Sequence, residues 1–171
     1  MIIVPDCCTL IYLTKAGLLN LLPELFDEVW ISGVVYRECV TRGKQEGKDD
    51  AFILEKLLEE SQSFKIKKTS YDNDFEKERS YFTGFGETDV YLTVKQNKNA
   101  IAITSDNRAY KKMQRRGVNV IKTDELMFLS FKRKILNFDD FCDSLSKLRW
   151  VGGTTDERIA FLIKKALNIE K

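Results

Sequence analysis

Five acids of this chain, Asp6, Glu38, Glu87, Asp89 and Asp106, have the type and placement to share one chemical task. Hydrolysing a phosphodiester needs an activated water and positive charge against the phosphate and leaving oxygen. Two divalent ions about 3.5–4 Å apart supply both, and three or four carboxylates can hold them. The sequence contains no histidine, which removes the commonest general base, Ser/His/Asp and Cys/His catalysis, and histidine-ligated zinc. Hydrolytic chemistry must then rest on carboxylates, with oxygen-seeking ions such as Mg²⁺ or Mn²⁺. Taken singly, each acid also has an ordinary structural role. Asp6 and Asp106 suit helix N-caps, Glu38 an exposed helical position, and Glu87 and Asp89 the first turn of a helix, where negative charge complements the dipole.

Acids so far apart in sequence meet only if the fold gathers them. Ile2-Ile3-Val4 is β-branched without alternation, which predicts a central strand running through Pro5-Asp6 into a helix with Leu10, Ile11 and Leu13. A short helix over 18–22 and a strand at Val29-Trp30-Ile31 follow, and Val34 to Val40 reads as the helix carrying Glu38. Gly43 and Gly47 suggest a loop, 51–58 a helix, and Phe64 and Ile66 a short, partly exposed strand among lysines. Residues 69–83 are polar and read as an irregular excursion. After Gly84-Phe85-Gly86, a helix is expected over 87–96, then a buried strand over 100–104 closed by Ser105-Asp106. A helix over 107–116, a strand over 118–121 and a helix from Glu125 complete the series.

Strands alternating with helices imply an α/β fold, a three-layer α/β/α sandwich around a mostly parallel sheet. Ligands of such sheets collect beyond the carboxyl ends of the strands, and Asp6 and Asp106 each directly follow a strand. Residues 1–135 are read as this domain and 136–171 as a helical appendage packed on it. Within the appendage, Ile159, Leu162, Ile163, Ala166 and Leu167 form one apolar stripe. No internal repeat or low-complexity linker marks a second independent domain.

Four segments in order resemble the motifs of PIN-domain nucleases. Asp6-Cys7-Cys8-Thr9-Leu10-Ile11 is similar to the opening motif, Val34-Val35-Tyr36-Arg37-Glu38 to the second, Gly86-Glu87-Thr88-Asp89 to the third, and Thr104-Ser105-Asp106 to the fourth. The likeness spans about residues 1–130. It implies a PIN-like sandwich in which Asp6, Glu38, Asp89 and Asp106 bind Mg²⁺ or Mn²⁺ and carry phosphodiester hydrolysis, usually of RNA. Glu87 is the alternative third acid, and Glu87 and Thr104 are expected to help hold the cofactor. The resemblance also implies a toxin of a VapBC-like toxin–antitoxin pair, with an antitoxin or a second copy as protein partner. A structure-specific DNA nuclease and a non-catalytic PIN-fold binding protein are the alternatives. The cysteines after Asp6 favour the latter, since thiols are poor partners for a carboxylate.

Net charge is only +2, so affinity for nucleic acid must come from local patches. Arg108, Lys111, Lys112, Arg115 and Arg116 recur at helical spacing, and no acid interrupts residues 107–122. This stripe, rooted beside Asp106, is expected to guide single-stranded RNA toward the acids. Tyr71, Tyr81 and Phe82 are read as anchors of the polar excursion rather than as base-stacking platforms. The four cysteines form no C-x-x-C pair and are expected as small buried hydrophobes. No apolar run approaches the ~20 residues that span a bilayer, and the opening Met-Ile-Ile-Val-Pro-Asp lacks a basic flank. The expected location is cytoplasmic, away from membranes.

Overall fold

The computed structural model describes residues 1–68, 74–82 and 84–169. Five strands, β1 (Ile2–Pro5), β2 (Glu28–Ser32), β3 (Phe64–Lys67), β4 (Ala100–Thr104) and β5 (Val120–Lys122), form an all-parallel sheet in the order β3-β2-β1-β4-β5. β1 pairs with β4 from Ile2↔Ala100 to Pro5↔Ile103, and with β2 at Ile2↔Glu28 and Ile3↔Val29. Ile3, Val4, Ala102 and Ile103 are fully buried, as expected of central strands covered on both faces. β3 is an edge strand whose Lys65 and Lys67 flank an exposed Ile66, a composition that discourages pairing with another chain.

The helices are α1 (Cys7–Lys15), α2 (Leu21–Leu25), α3 (Gly33–Tyr36), α4 (Gly43–Gln45), α5 (Asp49–Glu60), α6 (Asp74–Phe82), α7 (Phe85–Gln96), α8 (Asn107–Arg115), α9 (Thr123–Lys132), α10 (Phe138–Trp150) and α11 (Asp156–Leu167). The result is an α/β sandwich. α7 packs across β1, β2 and β4, α1 packs on α5, and α10 and α11 both rest on α9. α11 buries Leu162 and Ala166 fully and Ile159 and Ile163 in part, while Leu167 stays exposed. Asp124 fixes this contact from beneath. Its buried carboxylate accepts hydrogen bonds from Thr154 Oγ1 at 2.7 Å and from Arg158 Nε and Nη2 at 3.0 and 2.7 Å.

Three expectations from sequence need correction. Gly43 does not open a loop, because α3, a π-helical stretch (Arg37–Arg42) and α4 run on as one helix. Glycine stands there because a Cβ would lie 2.7 Å from Ala51 Cβ of α5. The excursion at 69–83 contains the nine-residue helix α6. That helix is polar because its inward contacts reduce chiefly to Glu78 and Phe82, four residues apart, too few to print a periodicity. The remainder of the excursion, with Tyr71, lies outside the described residues. Finally, the cysteines are not all buried: Cys39 is, Cys7 and Cys142 are partly covered, and Cys8 is exposed.

Candidate active site

Asp6 leaves the carboxyl end of β1 and caps α1 with extended backbone (φ −81°, ψ 171°). Its Oδ1 accepts from Thr9 N at 2.7 Å, and its Oδ2 accepts from the Thr104 hydroxyl at 2.5 Å. Thr104 ends β4, the neighbouring strand, and the same Thr104 Oγ1 accepts the backbone N–H of Asp106 at 3.1 Å. One hydroxyl thus ties the two acids across adjoining strand ends. Asp106 caps α8 through Oδ1 alone, which accepts from Arg108 N at 2.6 Å and Ala109 N at 2.8 Å. No described residue bonds its Oδ2. The sheet order reverses between β1 and β4, so this pair sits at the topological switch point, where parallel sheets bind ligands.

Two further acids face the pair. Glu38 lies in the π-helical stretch, a form that often marks functional sites, and its Oε1 accepts from Gly86 N at 3.2 Å. A Cβ on Gly86 would lie 2.3 Å from Glu38 Oε2, so only glycine admits this approach. Glu87, the next residue, is half-buried in the first turn of α7. Burial raises the pKa of Asp6, Glu38 and Glu87 above the ordinary carboxylate range, and the acids add to one another's shifts. Asp106 raises Asp6; Asp89 and Asp6 raise Glu38; Asp106, Asp6 and Glu38 raise Glu87. Hydrogen bonds from Thr104, Thr9 and Gly86 and the nearby charge of Lys112 oppose these shifts.

Asp89 meets this group from the side of Glu38, whose pKa it raises. Fully buried, it accepts the Val34 N–H at 3.2 Å and so anchors α7 to the start of α3 behind Glu38. Its Oδ1 has no partner among the described residues. Next to the acids, the start of α1 packs against the helix of Glu38, and the neighbouring Cys39 thiol together with burial pushes the Cys7 thiol up. Among the described residues no three acids or thiols stand close enough to form a ready-made ion cage.

The basic stripe divides. Arg108, Lys111 and Arg115 are exposed and have no acid partner among the described residues. Arg116 is engaged by α6: it pairs with buried Glu78 at 3.2 Å and lies over the Tyr81 ring at 4.4 Å. Lys112 Nζ lies 5.6 Å from the same ring. Phe82 is buried, its ring 4.7 Å from that of Tyr91, so it anchors α6 to α7. Sequence reasoning gave neither Gly86 nor Thr9 a role in the site, although both stand within the motifs quoted for the acids.

A protein-family model described as a PIN domain matches residues 2–165. No curated protein matches the chain. Among solved structures, a domain of a functionally unknown protein from Methanocaldococcus jannaschii is similar at TM-score 0.50 and 20% identity, covering 71% of this chain and 89% of that one. A PilT N-terminus domain protein from Sulfolobus solfataricus reaches TM-score 0.48 at 16% identity, covering 74% and 90% of the two chains.

Proposed function

The chain belongs to the PIN-domain family, and from that premise we propose that it is a Mg²⁺- or Mn²⁺-dependent endoribonuclease cutting single-stranded RNA at Asp6, Glu38, Glu87 and Asp106. PIN domains are generally nucleases. The observation that carries the reading for this chain is the Thr104 bridge, which holds two acids side by side at the switch point of the sheet. Each acid also caps its own helix, but capping α1 and α8 does not require the two to be joined through one hydroxyl.

The donor set fits a hard divalent cation. It is all oxygen, and burial, followed by the acids' repulsion of one another, holds their pKa values up. Asp6, Glu38, Glu87 and Asp106 would hold the ion, and Asp89 adds a buried oxygen with no partner among the described residues behind Glu38. Glu87 is preferred to Asp89 for the third place because the charges of Asp106, Asp6 and Glu38 all act on it, while one oxygen of Asp89 is taken by the Val34 N–H. Bound there, a divalent ion supplies charge neutralisation at the phosphate and makes a water acidic enough to act near neutral pH.

The chain's own residues prepare that task. Thr9 N–H and the Thr104 hydroxyl each occupy one oxygen of Asp6 and fix the plane of its carboxylate. Gly86 N–H does the same for Glu38. The amides of Arg108 and Ala109 hold Asp106 by Oδ1, so that Oδ2 would be the oxygen left to help hold an ion. Arg108, Lys111 and Arg115, exposed along α8, give the phosphate backbone a path to the acids.

Mn²⁺ titration by calorimetry, run beside cleavage of an end-labelled single-stranded RNA, tests the proposal. Wild-type protein is expected to bind Mn²⁺ and cut, with both lost on Asp6→Asn and cutting lost in EDTA. Unchanged Mn²⁺ binding by Asp6→Asn would remove the site. Mn²⁺ binding without any cutting would remove the nuclease assignment.

A further inference from the structure

Beside Glu38 a groove of about 410 Å³ runs between the helix of Glu38 and the start of α7, lined by Val34, Arg37, Glu38, Arg42, Gln45 and Phe85. We propose that this groove receives a nucleobase of the RNA strand, packed on Phe85, with Arg37 on the adjoining phosphate; the assignment rests on the nuclease reading above.

Phe85 is 46% exposed, so an aromatic ring meets solvent within the groove. The ring is held from behind by α6, with the Arg79 guanidinium 3.8 Å from its centroid and the Phe75 ring at 6.2 Å. A ring fixed in this way loses little freedom when a base packs against it, and every base has a face to offer. Arg37 is exposed and has no acid partner among the described residues, whereas Arg42 is neutralised by Glu46 at 2.8 Å. Gln45, exposed on the same wall, supplies both donors and an acceptor for a base edge.

Continuity with the acids decides between a nucleotide and a protein segment. Glu38 belongs to the groove and to the acid cluster alike. A strand whose phosphate lies at the acids therefore carries its neighbouring nucleotide along this wall. The combination of aromatic surface, free guanidinium and amide matches a nucleotide's three parts, while an apolar peptide would leave Arg37 and Gln45 without counterparts.

The test uses the full chain, a fluorescein-labelled single-stranded hexaribonucleotide and Ca²⁺ in place of the active ion, read by anisotropy across a salt series. Phe85→Ala is expected to weaken binding about tenfold, and Arg37→Ala to lower the slope of log K against log salt by about 0.7. Phe85→Trp is expected to bind within about twofold of wild type, with its fluorescence quenched by the hexamer and not by an abasic ribose-phosphate hexamer. If wild type binds RNA and all three variants bind it equally, with no base-dependent quenching, the groove belongs to a protein segment and the assignment is overturned. Wild-type protein that binds no RNA at all would instead overturn the nuclease reading beneath it.

Discussion

Gly86→Ala separates the geometry of the acid cluster from the stability of the fold. The added methyl would lie 2.3 Å from Glu38 Oε2 and 3.2 Å from its Cδ. Ordinary contact begins near 3.4 Å, so the carboxylate must retreat by roughly 1 Å. It can do so, being the end of a flexible, half-buried side chain. The retreat breaks the 3.2 Å bond from Gly86 N, a loss of about 1 kcal/mol once water replaces it. Replacing glycine by alanine within α7 returns at most about 1 kcal/mol. The melting temperature is therefore expected to stay within about 3 °C of wild type. Function is far less forgiving, since a misplacement of about 1 Å can cost about a hundredfold in rate. Steady-state cleavage of labelled RNA in Mn²⁺ should show kcat/KM down about a hundredfold, with circular-dichroism melts unchanged. Activity within threefold of wild type would refute the role assigned to Glu38's position, and a drop of 10 °C in melting temperature would refute the separation itself.

Asp6, Glu38 and Glu87 have raised pKa values, so the folded, ion-free protein holds protons that the unfolded chain releases at lower pH. Their contribution favours folding in acid and is lost as pH rises through the raised values. Asp6→Asn should accordingly melt higher than wild type near neutral pH without ions, the gap closing toward about pH 4; a constant gap refutes this. Arg158→Ala strips both guanidinium bonds from buried Asp124 and should cost about 3–5 kcal/mol, seen as a lower urea midpoint; a shift below about 1 kcal/mol would mean α11 is held otherwise. Combined Arg108, Lys111 and Arg115→Ala should weaken RNA binding and flatten its salt dependence, whereas Arg116→Ala, which leaves buried Glu78 with Lys95 alone, should mainly lower stability. Equal effects of the two on the salt slope would return Arg116 to the RNA path.

The positions of Asp6 and Asp106 were legible because a strand ending in an acid is a local pattern, and the order of strands is constrained by parallel topology. Glu38 was legible as helical, but the π-helical stretch around it is set by packing against α1 and α5 rather than by residue type. Between Glu87 and Asp89, a helical spacing of two turns the side chains roughly 200° apart, and sequence does not say which direction faces the acids. Gly86 reads as part of a glycine-rich turn, while its reason is a carboxylate arriving from 48 residues away. The basic stripe looked uniform because the acid that claims Arg116, Glu78, lies in a polar segment with no pattern of its own. Long-range steric and charge partners leave no local trace.

The central ladder joins Ile2 to Ala100 and Pro5 to Ile103, partners 98 positions apart along the chain. A nascent chain can complete α1, β2 and α5 while Asp6 still lacks Thr104 and Asp106. Translation order alone therefore delays assembly of the acid cluster until the sheet's second half has left the ribosome, and a product truncated before β4 lacks the cluster altogether.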